Sequence, residues 1–201
     1  MFIIGITGGS GSGKTTVLRS LKFLGVLTLD CDKIYHEQLS DNFELKAELE
    51  SRFPGVLQND KIDRKRLGEI VFNNPSALLA LNTVTHKYIG TEIDRQIAEW
   101  AAHGGKVTAI DAIALIESGV AKKCHVVVGV IAPTEIRISR IMNRDKLTRM
   151  QAEMRINAQK PDSYYKENCD YLLESNCRKP SEFEKESKDF FIELLQAQNI
   201  I

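Results

Sequence analysis

Short runs of apolar residues alternate along the chain with longer stretches in which apolar positions recur every three or four residues. The short runs predict β-strands and the longer stretches predict amphipathic helices. The fourth run is nearly all valine and isoleucine, as expected of a central strand covered on both faces. Alternation of this kind predicts an α/β fold with a mainly parallel sheet. The predicted strands are Phe2–Ile6, Val26–Asp30, Lys106–Asp111, His125–Ala132 and Tyr171–Glu174.

The stretch between the second and third predicted strands is too long for a simple crossover. It contains no convincing strand, and its helical patterns break at Pro54-Gly55 and at Asn73-Asn74-Pro75. Asn74 is expected to cap a helix that starts with Pro75. We therefore expect a helical lobe, at about residues 34–103, inserted into a single core. Capping-box spacing predicts two further helix starts, at Thr148–Gln151 and Ser181–Glu184.

One glycine-rich segment carries the strongest chemical signal. Residues 8–15 match the pattern GxxxxGK[ST] between a predicted strand and a predicted helix over Thr15–Leu24. Glycines let successive backbone N–H groups point at one anion, and the helix N-terminus adds its positive dipole end. Lys14 can reach the β- and γ-phosphates, and the Thr15 hydroxyl can ligate Mg²⁺. The loop therefore predicts a nucleoside triphosphate site built from Gly8, Gly9, Gly11, Ser12, Gly13, Lys14, Thr15 and Thr16.

Two aspartates at the carboxyl end of the second predicted strand indicate what the site does with its nucleotide. A GTPase would carry Asn-Lys-x-Asp and DxxG elements, and neither occurs. Because ligands bind at the carboxyl ends of parallel strands, one carboxylate of Asp30-Cys31-Asp32 could orient or deprotonate an acceptor hydroxyl. The alternative is that Asp30 or Asp32 caps the next helix, which is compatible with a catalytic role for the other.

Three arginines follow the fourth predicted strand at spacings that place them on one helix face. Arg137, Arg140 and Arg144 could present forked donors to a phosphoryl group in transit, although such a face is often only solvated. Beside an intact phosphate loop, Arg140 is favoured as the side chain that neutralises developing charge. The helices over about 135–167 are expected to form a mobile lid that excludes water.

The net charge, the apolar windows and the cysteine spacing of the chain bear on its binding partners and its cellular compartment. The 201 residues carry 27 basic and 27 acidic side chains, so the formal net charge is zero, and neither nucleic acid nor an anionic membrane is expected as a partner. No window approaches 18 uninterrupted apolar residues, so no membrane span is expected. The absence of CxxC spacing favours reduced thiols in a cytoplasmic protein. The four cysteines are Cys31, Cys124, Cys169 and Cys177.

Taken in chain order, roughly residues 1–176 resemble the dephospho-CoA kinases, a family of P-loop small-molecule kinases. The resemblance implies transfer of the ATP γ-phosphate to the ribose 3′-hydroxyl of dephospho-CoA, the last step of coenzyme A synthesis. It implies a core (1–33, 104–134 and 168–201), the inserted lobe as acceptor-binding part, and the lid. The segments that carry it beyond the phosphate loop are Leu29–Asp32, Ile62–Arg64, Leu81…His86, Asp111…Glu117 and Arg155–Gln159.

The resemblance also implies residue roles. Lys14, Asp32 and Arg140 match catalytic positions, with Asp32 as the carboxylate. Arg144 joins the phosphate loop in binding ATP, and Thr15 holds Mg²⁺. The acceptor contacts implied are Asp32, Arg64, His86 and Asp111. A monomer is favoured.

The sequence departs from the family pattern in three places. Lys87 replaces a proline, residues 112–116 replace a proline and its bulky neighbours, and Ser175 stands where asparagine is usual. The first two concern acceptor geometry and the third the adenine pocket, whereas the phosphate loop and Asp32 are intact. Two alternatives stay open: another P-loop nucleoside or nucleotide kinase, and a nucleotide-binding module that no longer catalyses transfer.

Overall fold

A computed structural model describes residues 1–176 and 179–201. In this part of the chain the strands are β1 (Phe2–Thr7), β2 (Leu27–Asp30), β3 (Leu57–Gln58), β4 (Lys61–Ile62), β5 (Val107–Asp111), β6 (Val126–Ile131) and β7 (Tyr171–Glu174). The helices are α1 (Lys14–Phe23), α2 (Cys31–Asp41), α3 (Phe43–Arg52), α4 (Arg64–Phe72), α5 (Pro75–Ala102), α6 (Thr134–Asp145), α7 (Arg149–Asn157), α8 (Asp162–Asn168) and α9 (Pro180–Ala197). None of these helices is both long enough and apolar enough to cross a bilayer.

The five predicted strands are present, each within one residue of its predicted ends, and they form one sheet in the order β2-β5-β1-β6-β7. β1 pairs in parallel with β5 on one side and β6 on the other, and β7 pairs in parallel with β6. The α/β fold with a parallel sheet flanked by helices is therefore confirmed. β1 is the middle strand, so the loop that follows it is anchored at the centre of the sheet.

The chain forms two compact units, Met1–Leu29 with Trp100–Ile201, and Asp30–Glu99. The first unit contains the sheet, and its apolar core is built on β1 and β6, where Ile4, Ile6 and Val128 are fully buried. Apolar side chains of α1 and α9 pack into the same core. The helices over 135–167 belong to this first unit, and their role as a lid stays a prediction, as does the acceptor role of the inserted lobe.

Three of the predicted helix starts can be compared with the structure. Asn74 caps α5 by accepting a hydrogen bond from the Ala77 N–H at 3.1 Å, as predicted. The capping box at Thr148 and Gln151 is present at the start of α7. The start predicted at Ser181–Glu184 is wrong, because α9 begins at Pro180. The fixed φ angle of proline suits the first helical position, where no N–H is needed, and this decides the boundary.

The second unit contains two short strands that the sequence pattern does not predict. β3 and β4 pair antiparallel around a two-residue turn in which Asn59 and Asp60 both have positive φ, at 48° and 61°. Such turns favour asparagine and aspartate, but strands of two residues are too short to show a period. The buried Lys46 holds this hairpin, since its Nζ donates to the Asp60 carbonyl at 2.9 Å and pairs with the Asp60 carboxylate at 3.1 Å.

Glu50 fixes the turn that leads from α3 into β3. Its carboxylate accepts hydrogen bonds from the N–H groups of Gly55 and Leu57, both at 2.7 Å, and these bonds hold the carboxyl pKa below its usual 4.5. Because the folded pKa is the lower one, this stabilisation is fully present above pH 4.5 and is lost as the pH falls through the folded pKa.

We therefore expect Glu50→Gln to lower the melting temperature by a few degrees at neutral pH, with a smaller difference from the parent protein below about pH 4. Thermal unfolding followed by circular dichroism measures this, with Glu69→Gln on the exposed face of α4 as control. An equal difference at both pH values would contradict a role for the ionised carboxylate.

Two cysteines of the first unit lie against the sheet. Burial raises the pKa of the Cys124 thiol to about 12 and that of Cys169 to about 11. Neither forms a disulfide, and both are protonated at neutral pH. Cys177 lies outside the described residues.

Candidate active site

The glycine-rich loop connects the central strand β1 to α1. Gly8 has a φ of 147°, and a Cβ there would lie 2.2 Å from the Val130 carbonyl oxygen on β6. Gly13, with a φ of 112°, directly precedes α1, which starts at Lys14. Because both positions require a backbone that other residues rarely adopt, the glycines allow the tight turn from strand to helix. The loop is thus held at the carboxyl end of the middle strand.

Two arginines of α6 hold the carbonyl oxygens of the loop. Arg137 Nε donates to the Ser10 carbonyl at 3.0 Å, and Arg140 Nη1 donates to the carbonyls of Gly11 at 3.0 Å and Ser12 at 3.3 Å. In a planar trans peptide the C=O of one residue and the N–H of the next point in opposite directions. The N–H groups of Gly11, Ser12 and Gly13 consequently point away from the arginines. The Ser12 N–H donates to the Gly9 carbonyl at 3.2 Å, which leaves those of Gly11 and Gly13 for a ligand. Backbone N–H groups aligned in this way form a binding site for an anion.

Side chains of the loop add further donors. Lys14 Nζ donates to the Gly8 carbonyl at 2.7 Å, so its ammonium group lies at the loop itself. The Ser12 hydroxyl is buried and has no hydrogen-bond partner among the described residues. Thr15, in the first turn of α1, is exposed. A buried hydroxyl without a partner and an ammonium group in the same loop fit the phosphates of a nucleotide.

Arg140 also contacts Ser175, the residue that directly follows β7. Its Nη2 donates to the Ser175 Oγ at 2.9 Å, and Ser175 itself donates its N–H to the carbonyl of Ile131 at 2.8 Å. Ser175, which replaces the family's usual asparagine, therefore orients the arginine that holds the loop. The sequence could not assign this contact, because the two residues are 35 positions apart.

Gln159 completes the contacts of the loop, and sequence reasoning assigned it no role. Its Oε1 accepts from the Ser10 N–H at 2.8 Å and from Arg137 Nη2 at 2.9 Å, and its Nε2 donates to the Ser10 Oγ at 2.8 Å. The available signal was the run Arg155–Gln159, which belongs to the family pattern.

The structure does not bring the Arg144 side chain to the loop. Arg144 donates to the carboxylate of Asp145 through Nε at 2.7 Å and Nη2 at 2.9 Å. Arg155 donates to the same carboxylate, and together the two guanidinium groups lower the pKa of Asp145 to about 2. The predicted contact of Arg144 with ATP stays a prediction.

Asp111 lies at the carboxyl end of β5, in register with Ile6 of the central strand. The altered segment that follows it folds back against β1. The Thr7 hydroxyl donates to the Ile113 carbonyl at 3.1 Å, and Leu115 is fully buried. The changes in this segment therefore leave Asp111 beside the start of the phosphate loop.

In the second unit, Asp30 at the end of β2 and Asp32 at the start of α2 have different surroundings. Asp30 is extended and its carboxylate accepts from the Lys33 N–H at 3.0 Å, which makes it the cap of α2. Asp32 lies in the first turn of α2 and is exposed. The alternative left open by the sequence is thereby decided, since the helix cap is Asp30 and not Asp32.

A pocket of about 320 Å³ in the second unit contains one of the predicted acceptor residues, Arg64. His36, Lys61 and the acidic Asp60 also line it, and the Asp60 carboxylate is already paired with Lys46 at 3.1 Å. Burial raises the pKa of the neighbouring Tyr35, and the positive charge of Arg64 opposes this shift. A pocket with this lining suits an anionic group.

His86 and Lys87 lie on the exposed face of α5, and His86 does not line this pocket. Lys87 Nζ pairs with the Glu48 carboxylate at 2.9 Å, and the Tyr88 hydroxyl donates to the same oxygen at 2.7 Å. Where the family usually has proline, this chain therefore has a side chain that joins α5 to α3.

Comparison with known proteins adds an independent finding. The family model for dephospho-CoA kinase matches residues 2–180. A dephospho-CoA kinase of Dehalococcoides mccartyi is 39% identical over 179 residues, which cover 88% of this chain and 90% of that protein. The crystal structure of TT1252 from Thermus thermophilus has a TM-score of 0.80 at 28% identity and covers 98% of this chain and 97% of that one. Dephospho-CoA kinase from Campylobacter jejuni has a TM-score of 0.70 at 28% identity, with 98% of each chain covered.

Proposed function

The chain belongs to the dephospho-CoA kinase family and catalyses the last step of coenzyme A biosynthesis, and on that premise we propose which residues carry the phosphoryl transfer. Within residues 11–16, the N–H groups of Ser12 and Thr16 donate to the carbonyls of Gly9 and Gly13, so the remaining backbone N–H groups of this segment and the Lys14 ammonium hold the phosphates of ATP. The observation that carries this proposal is the orientation of the loop, whose carbonyl oxygens are bound by Arg137 and Arg140 while the N–H groups that follow these carbonyls point away from the arginines.

Asp32 is the acceptor-side carboxylate in this proposal. It accepts the proton of the ribose 3′-hydroxyl while the 3′-oxygen forms a bond to the γ-phosphorus and the bond from that phosphorus to the bridging oxygen of ADP breaks. The capping role of Asp30 supports this assignment, because it leaves the Asp32 carboxylate exposed. Lys14 and Arg140 offset the charge that develops on the transferred group.

The acceptor itself carries a diphosphate, which is anionic. The pocket that contains Arg64 and Lys61 supports a contact with such a group. Asp111 and His86 complete the proposed acceptor contacts, with Asp111 supported by its place at the carboxyl end of β5.

In this proposal, Mg²⁺ binds together with the nucleotide. The described residues contain no cluster of three or more His, Cys, Asp or Glu side chains suited to a metal ion. Mg²⁺ would therefore take most of its ligands from phosphate oxygens and water, with the exposed Thr15 hydroxyl as the protein ligand. When bound, the ion neutralises charge on the phosphates.

The experiment that tests this proposal measures ADP release from MgATP with dephospho-CoA, adenosine, AMP or no acceptor. We expect turnover with dephospho-CoA alone, and phosphate at the 3′-position of the product by nuclear magnetic resonance. Turnover with AMP or adenosine alone would overturn the acceptor assignment, and phosphate at another position would overturn the role given to Asp32.

The same assay tests the metal site. Chelation by EDTA is expected to abolish turnover, and added Mg²⁺ to restore it. Thr15→Val is expected to raise the Mg²⁺ concentration at half-maximal rate by about tenfold or more, since even residues that only orient the ligands of a metal contribute about 10–100-fold to its affinity. Thr15→Ser keeps the hydroxyl and serves as the matched control. If Thr15→Val and Thr15→Ser had the same Mg²⁺ dependence as the parent protein, the hydroxyl would not be a ligand.

A further inference from the structure

We propose that Arg137 and Gln159 are positioning residues that clamp Ser10 and thereby set the shape of the phosphate loop. The inference rests on the proposed function of that loop as the nucleotide site. It concerns residues that do not themselves need to touch the nucleotide. We call these three residues the Ser10 clamp.

The clamp engages every polar group of Ser10. The N–H donates to Gln159 Oε1 at 2.8 Å, the carbonyl accepts from Arg137 Nε at 3.0 Å, and the hydroxyl accepts from Gln159 Nε2 at 2.8 Å. Arg137 Nη2 also donates to Gln159 Oε1 at 2.9 Å, so the two side chains orient each other. Because all three polar groups of Ser10 are bound by two side chains, the residue is fixed in both position and orientation.

Burial and shape support the clamp as a built feature. Arg137 is only 4% exposed, and its charge is paired with the Asp162 carboxylate at 3.6 Å. A Cβ at Gly9 would lie 2.2 Å from Arg137 Nη2, and a Cβ at Gly11 would lie 2.8 Å from the Arg137 carbonyl oxygen. Glycine at these two loop positions therefore makes room for Arg137.

The clamp divides the loop into two parts. The Ser10 N–H is bound to Gln159, so it is not directed at phosphate. The bond from Arg137 to the Ser10 carbonyl turns the next N–H, that of Gly11, the opposite way. Arg137 thus sets the direction of the Gly11 N–H, which is the first N–H group of the loop that can donate to an anion. Because Arg137 lies on α6 and Gln159 lies two residues after the end of α7, the clamp also ties the loop to two of the helices of the proposed lid.

Gln159 is the better residue for the test, because it is only partly buried and its replacement leaves the core intact. Gln159→Leu has a similar size but no hydrogen bonds. Gln159→Glu keeps an acceptor for the Ser10 N–H and for Arg137, and the Ser10 hydroxyl can donate to it instead of accepting. Leu195→Ala, in the buried core under α9, is the control for lowered stability of the same unit.

Two measurements are made on the full chain. The first is amide hydrogen exchange of Ser10 without nucleotide, where we expect Gln159→Leu to speed exchange by about tenfold or more and Gln159→Glu to retain protection. The second is steady-state kinetics, where Gln159→Leu should raise the KM for MgATP by about tenfold, as loss of one buried hydrogen bond would, with the KM for dephospho-CoA unchanged. Leu195→Ala should lower the melting temperature and leave both KM values unchanged.

A packing role alone would make Gln159→Leu equal to or better than Gln159→Glu in both measurements, and that order would overturn the proposal. Equal changes in the two KM values would also overturn it. Failure of the proposed function is recognised separately: the parent protein would then show no turnover that depends on dephospho-CoA, whereas hydrogen exchange at Ser10 would still report on the clamp.

Discussion

Asp32→Asn is expected to lower kcat by about 10²–10⁴-fold, the range in which a positioned general base contributes to the rate. Asparagine keeps the size of the side chain and can still hydrogen-bond to the acceptor, but it does not take up the hydroxyl proton. Because Asp32 is exposed in the first turn of α2, the melting temperature should change little. Steady-state kinetics at saturating concentrations of both substrates, with thermal unfolding of the same samples, measures the two effects.

The matched control is Asp30, two positions earlier. Asp30→Asn is expected to retain both activity and stability, since asparagine caps helices as well as aspartate does, and Asp30→Ala should cost about 1 kcal/mol of stability. These variants thereby distinguish the chemical role proposed for Asp32 from the structural role of Asp30. Near-normal kcat for Asp32→Asn would mean that the hydroxyl proton leaves by another route, and the assignment of the base would be wrong.

Lys14→Met is expected to lower kcat/KM by about 10²–10³-fold, as loss of one donor aimed at developing charge does elsewhere. Methionine keeps much of the aliphatic stem of Lys14 and removes the ammonium group that lies at the loop. Nucleotide affinity, measured by titration calorimetry with MgATP, should fall together with the rate.

Lys22→Met, in the last turn of the same helix, removes an equal charge away from the loop and should leave the kinetics unchanged. An effect of Lys14→Met confined to the KM for dephospho-CoA would contradict a role for Lys14 at the transferred phosphate.

The phosphate loop could be predicted from the sequence because its geometry is local. Eight consecutive residues set the turn from β1 into α1, and the glycines, the lysine and the threonine each have a reason that depends on neighbours in the chain. The same holds for Asn74, whose cap involves a residue three positions away. The central strands β1 and β6 were predictable for a related reason, since buried parallel strands are marked by nearly continuous apolar runs.

The three arginines of α6 show what residue spacing alone could not predict. Spacing places Arg137, Arg140 and Arg144 on one face, yet their side chains have three different environments. Arg137 is buried against Ser10, 127 positions away, and Arg140 holds the carbonyls of Gly11 and Ser12. Arg144 pairs with its neighbour in the chain, Asp145. Helical periodicity predicts a shared direction, but the partner of each side chain is decided by tertiary contacts that the spacing does not contain.

Glycines in the neighbouring strands β1 and β6 leave space for the two thiols beside them. A Cβ at Gly5 would lie 2.9 Å from the Cys124 sulfur, and one at Gly129 would lie 2.9 Å from the Cys169 sulfur. Each sulfur therefore rests on a strand, in space left open by a glycine. Both cysteines are only partly exposed, and partial burial against the strand raises the pKa of each thiol. At neutral pH each is therefore a poor nucleophile, so the glycines that make room for the sulfurs also keep these thiols slow to react.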